Sequence, residues 1–281
     1  MLTKADGSPL LQTGRAAIMG ILNATPDSFS DGGLFLAVDD AVDHVARMVD
    51  EGADIIDVGG ESTRPGATPV NADEEMQRVI PIIEGLVRRF DVTISIDTSK
   101  AMVMDAAVNA GAGLINDVRA LTEEGALSVA AELNVPVCLM HMQGQPGTMQ
   151  LNPVYEDVTA TIRDYLSQRV ATCIEAGLDI NNLILDPGFG FGKTQKQNFS
   201  LLNELNRVRI HDLPILAGLS RKSVIEQTLG LAVNDRVYAS ITLALLAVRN
   251  GANIVRVHDV KATTDAIRMM EAVEKERKQS T

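Results

Sequence analysis

The chain of 281 residues is 46% hydrophobic and 22% charged, close to the averages of globular proteins, and these values exclude a disordered or fibrous architecture. Its 25 lysines and arginines are outnumbered by 37 aspartates and glutamates, and the formal net charge of -12 argues against a long basic surface for nucleic acid. The longest apolar stretch, Ala239 to Val248, is far shorter than the roughly 20 residues that a membrane helix needs, so we expect no membrane partner either.

Residues 1–15 lack the apolar core of a secretory signal and carry no recognisable motif, so we interpret them as an N-terminal extension. The only cysteines, Cys138 and Cys173, do not make a disulfide framework. Both features predict a cytoplasmic protein.

Eight short β-rich runs alternate with eight longer amphipathic stretches along the chain. The runs cover residues 18–22, 55–58, 93–96, 113–116, 137–140, 183–185, 215–219 and 254–257. The first helical stretch spaces its apolar residues by three or four between Val38 and Val49, and the others begin near residues 72, 100, 123, 156, 199, 221 and 261.

This alternation is typical of βα units, and no proline-rich or serine-rich linker divides them. We therefore predict an α/β fold in which residues 1–281 form a single (β/α)8 TIM barrel. An open, doubly wound sheet is the alternative, but the sequence contains no Rossmann glycine fingerprint.

Three of the helical stretches end in the same way, with a glycine shortly before the next strand. These glycines are Gly52, Gly111 and Gly251. A glycine at this place is expected to adopt the left-handed conformation that ends a helix. Five residues later a polar side chain recurs late in each strand, at Asp57, Asn116 and Arg256.

Polar residues also stand at nearly every predicted strand end, where the catalytic groups of such barrels lie. They are Asn23, Glu61 to Arg64, Asp97, Asn116, Asp117, His141, Asp186, Ser220 to Ser223, Arg256 and His258. Taken singly, Asp97, Ser99 and Asn116 could instead cap a helix.

The chemistry of these residues indicates an anionic substrate that carries a polar ring. Arg256 and His258 are two residues apart in a strand, so they face the same side and suit phosphate oxygens, although an exposed arginine paired with a surface glutamate is the alternative. The side chains of Asp97, Asn116 and Asp186 offer the donors and acceptors that a heteroaromatic ring needs.

Two kinds of loop follow these strand ends. The glycine-rich segment 186–193 lacks the spacing of a phosphate-binding loop, so we interpret it as packing and substrate contact. Segments 23–33 and 59–66 are long for βα connections and rich in turn residues, which is typical of mobile, functional loops.

Eight segments of the chain resemble, in order and spacing, those of the dihydropteroate synthase family in its chromosomal bacterial form. They are MGILNATPDSFSDGG, IDVGGESTRPGA, SIDTSK, INDVR, CLMHMQG, LDPGFGFGK, LSRKS and RVHDV, between about Ile18 and Val260. A slight departure is Ala24, where the family commonly has valine. The resemblance implies a transferase of folate biosynthesis that joins 6-hydroxymethyl-7,8-dihydropterin pyrophosphate to p-aminobenzoate and releases pyrophosphate, through a pterin cation.

The resemblance also implies roles for individual residues. Those implied to bind the pterin are Asp97, Asn116, Met140, Asp186, Phe191 and Lys222. Those implied to bind pyrophosphate are Asn23, Thr63, Arg64, Arg256 and His258, with Asn23 also meeting a metal ion. Those implied to frame p-aminobenzoate are Phe29, Thr63, Arg64, Pro65 and Ser223, and the catalytic groups are Asp31, Asp97, Asp186 and Lys222.

The same family implies Mg2+ as cofactor, a homodimer, and inhibition by sulfonamides, which resemble p-aminobenzoate. We expect the arylamine pocket to be complete only after the pterin pyrophosphate, or pyrophosphate itself, has bound. Two alternatives remain at this stage, a pterin-binding corrinoid methyltransferase and a pterin-binding paralogue without catalysis.

Overall fold

Eight strands and their helices make up the computed structural model, which describes residues 2, 8–11, 14–24, 33–62, 68–144 and 148–279, with the backbone alone for 33–37 and 277–279. The strands are β1 (Ala17–Asn23), β2 (Ile55–Gly59), β3 (Thr93–Asp97), β4 (Leu114–Asp117), β5 (Val137–Met140), β6 (Leu183–Asp186), β7 (Leu216–Ala217) and β8 (Ile254–Val257). The α-helices in these ranges are α1 (Gly33–Asp50), α2 (Ala72–Arg89), α3 (Ala101–Asn109), α4 (Ala126–Leu133), α5 (Val158–Glu175), α6 (Gln195–Asn203), α7 (Ser223–Leu229), α8 (Val237–Arg249) and α9 (Val260–Gln279).

The strands form one parallel sheet in the order β6-β5-β4-β3-β2-β1-β8-β7. A parallel bridge between Leu185 and Ile215, supported by a hydrogen bond of 2.9 Å from the Leu185 amide to the Pro214 carbonyl, joins the two ends. The ring of strands therefore closes, the (β/α)8 prediction is confirmed, and the open-sheet alternative is wrong.

Alternation along the strands divides the core into two layers. Outward residues such as Ile56 and Ile94 pack under the helices, whereas the inward residues Ile55, Leu114 and Ile254 fill the barrel. Leu2 and Leu10 of the N-terminal extension join the inner cluster, and the Leu10 amide donates to the Leu2 carbonyl at 2.9 Å. The described part of the extension thus covers the end of the barrel opposite the carboxyl ends of the strands.

The helical prediction was wrong at the seventh stretch, which splits into α7 and α8. Gly230 has a φ of +68° and ends α7, and a short 3-10 turn, Val233–Asp235, leads into α8. The prediction for α6 was four residues late, because Thr194 and Gln197 form a capping box that starts the helix at Gln195.

The glycine repeat is confirmed, since Gly52, Gly111 and Gly251 have φ values of +101°, +108° and +109°. Strand β7 is shorter than predicted and keeps ladder pairing only over Leu216–Ala217. A bilayer-spanning helix is not found among the described residues.

Candidate active site

Three polar side chains point into the barrel at the carboxyl ends of neighbouring or near-neighbouring strands. Asp97 on β3 pairs in register with Asn116 on β4, and Asp186 ends β6 opposite Met140. Asn116 and Asp186 are buried, and neither Asp97 nor Asn116 caps a helix, because the N-cap positions of α3 and α4 are occupied by other residues. The capping alternative is therefore wrong for these two residues.

Arg256 on β8 reaches across the barrel to two carboxylates. Its Nε donates to Oδ2 of Asp57 at 2.5 Å, and its Nη2 donates to Oδ2 of Asp97 at 2.7 Å. The Nδ2 of Asn116 donates to the same Asp57 oxygen at 3.0 Å. The three polar residues of the glycine repeat thus meet in one network, and the alternative of an exposed arginine paired with a surface glutamate is wrong.

Burial and neighbouring charges shift the pKa values of two side chains of this site, Asp97 and Lys222, towards neutral pH. Burial raises the pKa of Asp97 to about 7; Arg256 opposes this shift, and Asp57 adds to it. Burial also raises the pKa of Asp186, against the effect of Lys222. Burial lowers the pKa of Lys222 to about 8, although the nearby Asp186 carboxylate raises it. Perturbed groups of opposite charge at one barrel end are typical of an active site.

Lys222 lies against the glycine-rich loop that follows β6. Its Nζ is 4.7 Å from the centroid of the Phe191 ring and donates to the Phe189 carbonyl. Asp186 accepts a hydrogen bond of 2.7 Å from the Gly188 amide. A charged edge and an aromatic face therefore stand together, as the binding of a planar polar ring requires.

The carbonyls of this loop surround the buried amine of Lys193, a hydrogen-bond donor, rather than an anion. Lys193 Nζ donates to the Gly188 carbonyl at 2.7 Å and to the Phe191 carbonyl at 3.0 Å, and it lies 3.1 Å from His141 Nδ1. Gly188 has a φ of +67°, and a Cβ there would lie 1.9 Å from the His141 carbonyl oxygen, so only glycine fits. Because carbonyl oxygens converge here, the geometry agrees with the interpretation as packing rather than phosphate binding.

His141 belongs to this packing. Burial lowers its pKa to about 3, with a further contribution from Lys193. Its ring makes an edge contact with Tyr165, at 5.0 Å between centroids and an interplanar angle of 87°. A neutral, enclosed imidazole of this kind orients the loop and is not poised to titrate in the physiological range.

A cavity of about 540 Å³ lies beside Asn23 and His258. Its polar lining is completed by Asp40, Asp43, His44, Arg47 and Arg221. Nδ1 of His258 lies 3.0 Å from Ser220 Oγ. The expected pyrophosphate residues Asn23 and His258 thus share a cavity, whereas Arg256 is bound to the carboxylates of the neighbouring site.

Comparison with known proteins gives one consistent result. Residues 19–258 match the family described as pterin binding enzyme. Dihydropteroate synthase of Escherichia coli is 52% identical over 255 residues, covering 91% of this chain and 90% of the relative. The chain belongs to the dihydropteroate synthase family. It is a transferase, and the prediction of the family is confirmed.

Solved structures of dihydropteroate synthases have the same fold. That of Yersinia pestis, in a complex with a sulfonamide drug, superposes with a TM-score of 0.92 at 48% identity and covers 98% of this chain and 99% of its own. That of Burkholderia cenocepacia, complexed with 7,8-dihydropteroate, has a TM-score of 0.87 at 46% identity and covers 95% of each chain. These relatives exclude the corrinoid methyltransferase alternative.

Five residues that the dihydropteroate synthase resemblance assigns lie outside the described residues: Phe29, Asp31, Thr63, Arg64 and Pro65. The first residues of the loop 59–66 are described, and charged side chains hold them in place. Lys100 Nζ donates to Glu61 and, at 2.5 Å, to the fully buried Glu75, and Arg78 donates to the Gly60 carbonyl at 2.8 Å.

The segment Ser220–Ser223 of this dihydropteroate synthase fold is fixed by residues that the sequence did not single out. Arg221 has a φ of +56°, donates through Nε to Asp259 at 3.0 Å, and donates its amide to Ser240 Oγ at 2.9 Å. The buried Arg236 donates to the Arg221 carbonyl at 3.0 Å. Arg236 directly precedes the largely apolar helix α8, and this contrast is a weak sequence signal for it.

Proposed function

We propose that this chain condenses 6-hydroxymethyl-7,8-dihydropterin pyrophosphate with p-aminobenzoate to give 7,8-dihydropteroate and pyrophosphate. The observation that carries the proposal is the group formed by the buried Asn116 and Asp186 and the partly buried Asp97 and Lys222 beside the Phe191 ring, in a chain of the dihydropteroate synthase family. The relative from Burkholderia cenocepacia, which is complexed with 7,8-dihydropteroate, supports the same product for this chain.

The pterin would be recognised along its edges and over its faces. Carboxylate oxygens of Asp97 and Asp186 accept hydrogen bonds from ring N–H groups, while the Lys222 ammonium donates to a ring acceptor. Met140, which is buried, and Phe191 supply the apolar contact for the faces.

The reaction breaks the C–O bond between the pterin methylene and pyrophosphate, and the bonding electrons leave with the oxygen. The resulting pterin cation is stabilised by the Asp97 and Asp186 carboxylates, in a buried site where such interactions are strong. The amine nitrogen of p-aminobenzoate then forms the C–N bond and loses a proton, for which Asp31 is the proposed acceptor. A weakly nucleophilic arylamine suffices because the cation is reactive.

Pyrophosphate would leave from the cavity that Asn23 and His258 share, with Thr63 and Arg64 as further proposed contacts. In the described part of the chain, no three His, Cys, Asp or Glu side chains converge to hold a metal ion. The amide oxygen of Asn23 nevertheless fits Mg2+, which takes few protein ligands and completes its shell with phosphate oxygens and water. Bound there, Mg2+ would neutralise charge on the leaving pyrophosphate.

The p-aminobenzoate pocket is proposed to lie where α7 begins. Ser223 is the first residue of this helix and follows Lys222, and backbone amides at a helix N-terminus suit a carboxylate. Phe29, Thr63, Arg64 and Pro65 are the other proposed contacts. The relative from Yersinia pestis binds a sulfonamide drug, which supports the proposal that sulfonamides bind here as well.

We also propose a homodimer, on the evidence of the outer face of α8 and α9. Tyr238 is 84% exposed and Leu246 is 40% exposed, and both lie on α8, whose only charged residue is Arg249. Met269 and Val273 on α9 are 68% and 65% exposed. Exposed apolar groups of this kind indicate an interface with a second copy, and sedimentation equilibrium tests it.

The buried free thiols of Cys138 and Cys173 suit the proposed cytoplasmic location.

The function is tested by pyrophosphate release on mixing the pterin pyrophosphate, p-aminobenzoate and Mg2+, with and without the arylamine. The proposal predicts release that depends on the arylamine. Pterin binding without release would instead identify a paralogue without catalysis, and absence of pterin binding would overturn the proposal.

A further inference from the structure

Asp57 lies beneath the proposed pterin site and has no role among the expected site residues. Its side chain is fully buried on β2, and its Oδ2 accepts hydrogen bonds from Arg256 Nε at 2.5 Å and from Asn116 Nδ2 at 3.0 Å. Its Oδ1 has no hydrogen-bond partner among the described residues.

The chemistry of these bonds fixes the orientation of Asn116. An ionised carboxylate only accepts hydrogen bonds, so the NH2 group of Asn116 must face Asp57, and its carbonyl oxygen stays available on the other edge of the amide. An amide on its own has no such preference, because its two ends have the same shape.

The same carboxylate fixes Arg256. One guanidinium spans Asp57 and Asp97, with Nε on the first and Nη2 on the second, and the planar fork keeps these two directions rigid. Two carboxylates with one guanidinium leave the group with one net negative charge when all three are ionised. That charge favours a cationic pterin over a neutral one.

We infer that Asp57 is a positioning residue that sets the amide orientation of Asn116 and the direction of Arg256, and thereby selects a pterin that presents a donor to Asn116. The inference rests on the proposed function and deepens it. Asp57 itself touches neither substrate in this account.

The first test compares Asp57→Asn with Ser95→Ala by calorimetric titration with 6-hydroxymethyl-7,8-dihydropterin. Ser95 is the matched control, because it pairs in register with Asp57 on β3, is equally buried, and has a hydroxyl without a partner among the described residues. Asp57→Asn should weaken pterin binding by about tenfold or more, since the Asn116 amide can turn over, while Ser95→Ala keeps the affinity of the parent protein.

A double-mutant cycle with Asn116→Ala separates positioning from general stability. If Asp57 acts through Asn116, Asp57→Asn should cost markedly less pterin affinity in the Asn116→Ala background than in the parent. Equal losses in both backgrounds, or unchanged pterin affinity in Asp57→Asn, would overturn the inference.

The pH dependence of pterin affinity supplies a further test, because a merely structural role of Asp57 would leave its midpoint unchanged. The charged groups that act on Asp97 are Arg256, Asp57, Glu75 and Asp117. Because the Asp57 charge raises the pKa of Asp97, its loss should move the rise of pterin affinity with pH to lower pH. An unmoved midpoint would contradict the inference.

Should Asp57→Asn fail to fold, NMR of the parent protein with labelled asparagine tests the orientation of the Asn116 amide directly. The Asn116 side-chain NH2, which donates to Asp57, should be protected from exchange both before and after the pterin binds. Loss of protection on binding would overturn the inference. If the parent protein makes dihydropteroate, a contradicting result in any of these tests rejects only the positioning role of Asp57. If the parent protein neither binds the pterin nor releases pyrophosphate, the proposed function itself is overturned.

Discussion

Arg256 on β8 donates to Asp97 on β3 at 2.7 Å, across the interior of the barrel. The cation expected to serve pyrophosphate is thereby attached to a carboxylate expected to serve the pterin. Loss of either group leaves the other buried without its partner, which is costly in a low-dielectric site. The two halves of the substrate are therefore recognised by one connected network.

Arg256→Ala should weaken the binding of both hydroxymethyl-dihydropterin and pyrophosphate. Without the guanidinium, which lowers the pKa of Asp97, that pKa rises from its value of about 7, so less of the carboxylate is ionised at neutral pH. The free energy of unfolding should fall by about 3 kcal/mol, the low end for a buried pair because the Arg256 side chain is 22% exposed. Titration calorimetry and chemical denaturation check these outcomes. Loss of pyrophosphate binding alone would show that the two sites are independent after all.

Asp186→Asn should abolish most pterin binding and activity together. The amide presents a donor where the ring N–H groups need an acceptor, and one unmatched buried group costs about 1 to 3 kcal/mol. Calorimetry with the hydroxymethyl pterin measures the loss, and a melting curve shows that the variant is folded. Unchanged pterin affinity would remove Asp186 from the site.

The pH dependence of kcat/KM for the pterin substrate should be bell-shaped. The rising limb lies near pH 7, because Asp97 must lose its proton to accept a hydrogen bond and stabilise a cation, and burial raises its pKa to about 7. The falling limb lies near pH 8, because burial lowers the pKa of Lys222 to about 8 and the neutral amine no longer carries charge.

Lys222→Arg is the control for this profile, since a guanidinium stays charged far above pH 8. The falling limb should disappear while the rising limb remains. A falling limb that persists in Lys222→Arg would assign it to another group.

Lys193→Met should destabilise the glycine-rich loop and raise KM for the pterin substrate. The carbonyls of Gly188 and Phe191 lose their donor, at about 1 to 3 kcal/mol for each group left buried and unmatched. Lys196→Met is the control, because Lys196 is exposed on α6. Denaturation curves and steady-state kinetics compare the two variants, and equal effects would contradict the role of Lys193.

The sequence predicted the barrel because alternation and the glycine repeat are local patterns, and both put Asp57, Asn116 and Arg256 at equivalent inward positions. It did not predict that Arg256 binds Asp97, 159 residues away, since that contact depends on the closure of the ring. The split at Gly230 was not predicted, because α7 has only seven residues and α8 is apolar on nearly every side, so neither helix shows a clear amphipathic period. The sequence predicted that segment 186–193 serves packing and substrate contact, but it did not predict that Lys193 is buried among the carbonyls of this loop, since those contacts depend on how the loop folds.

The most direct test of the account is a single-turnover reaction of the parent protein with the pterin pyrophosphate, p-aminobenzoate and Mg2+, with products measured by mass spectrometry. The account predicts 7,8-dihydropteroate and pyrophosphate in equal amounts, and much less of both products in Asp186→Asn at the same enzyme concentration and reaction time. Pyrophosphate without dihydropteroate, or dihydropteroate formed equally by Asp186→Asn, would contradict it.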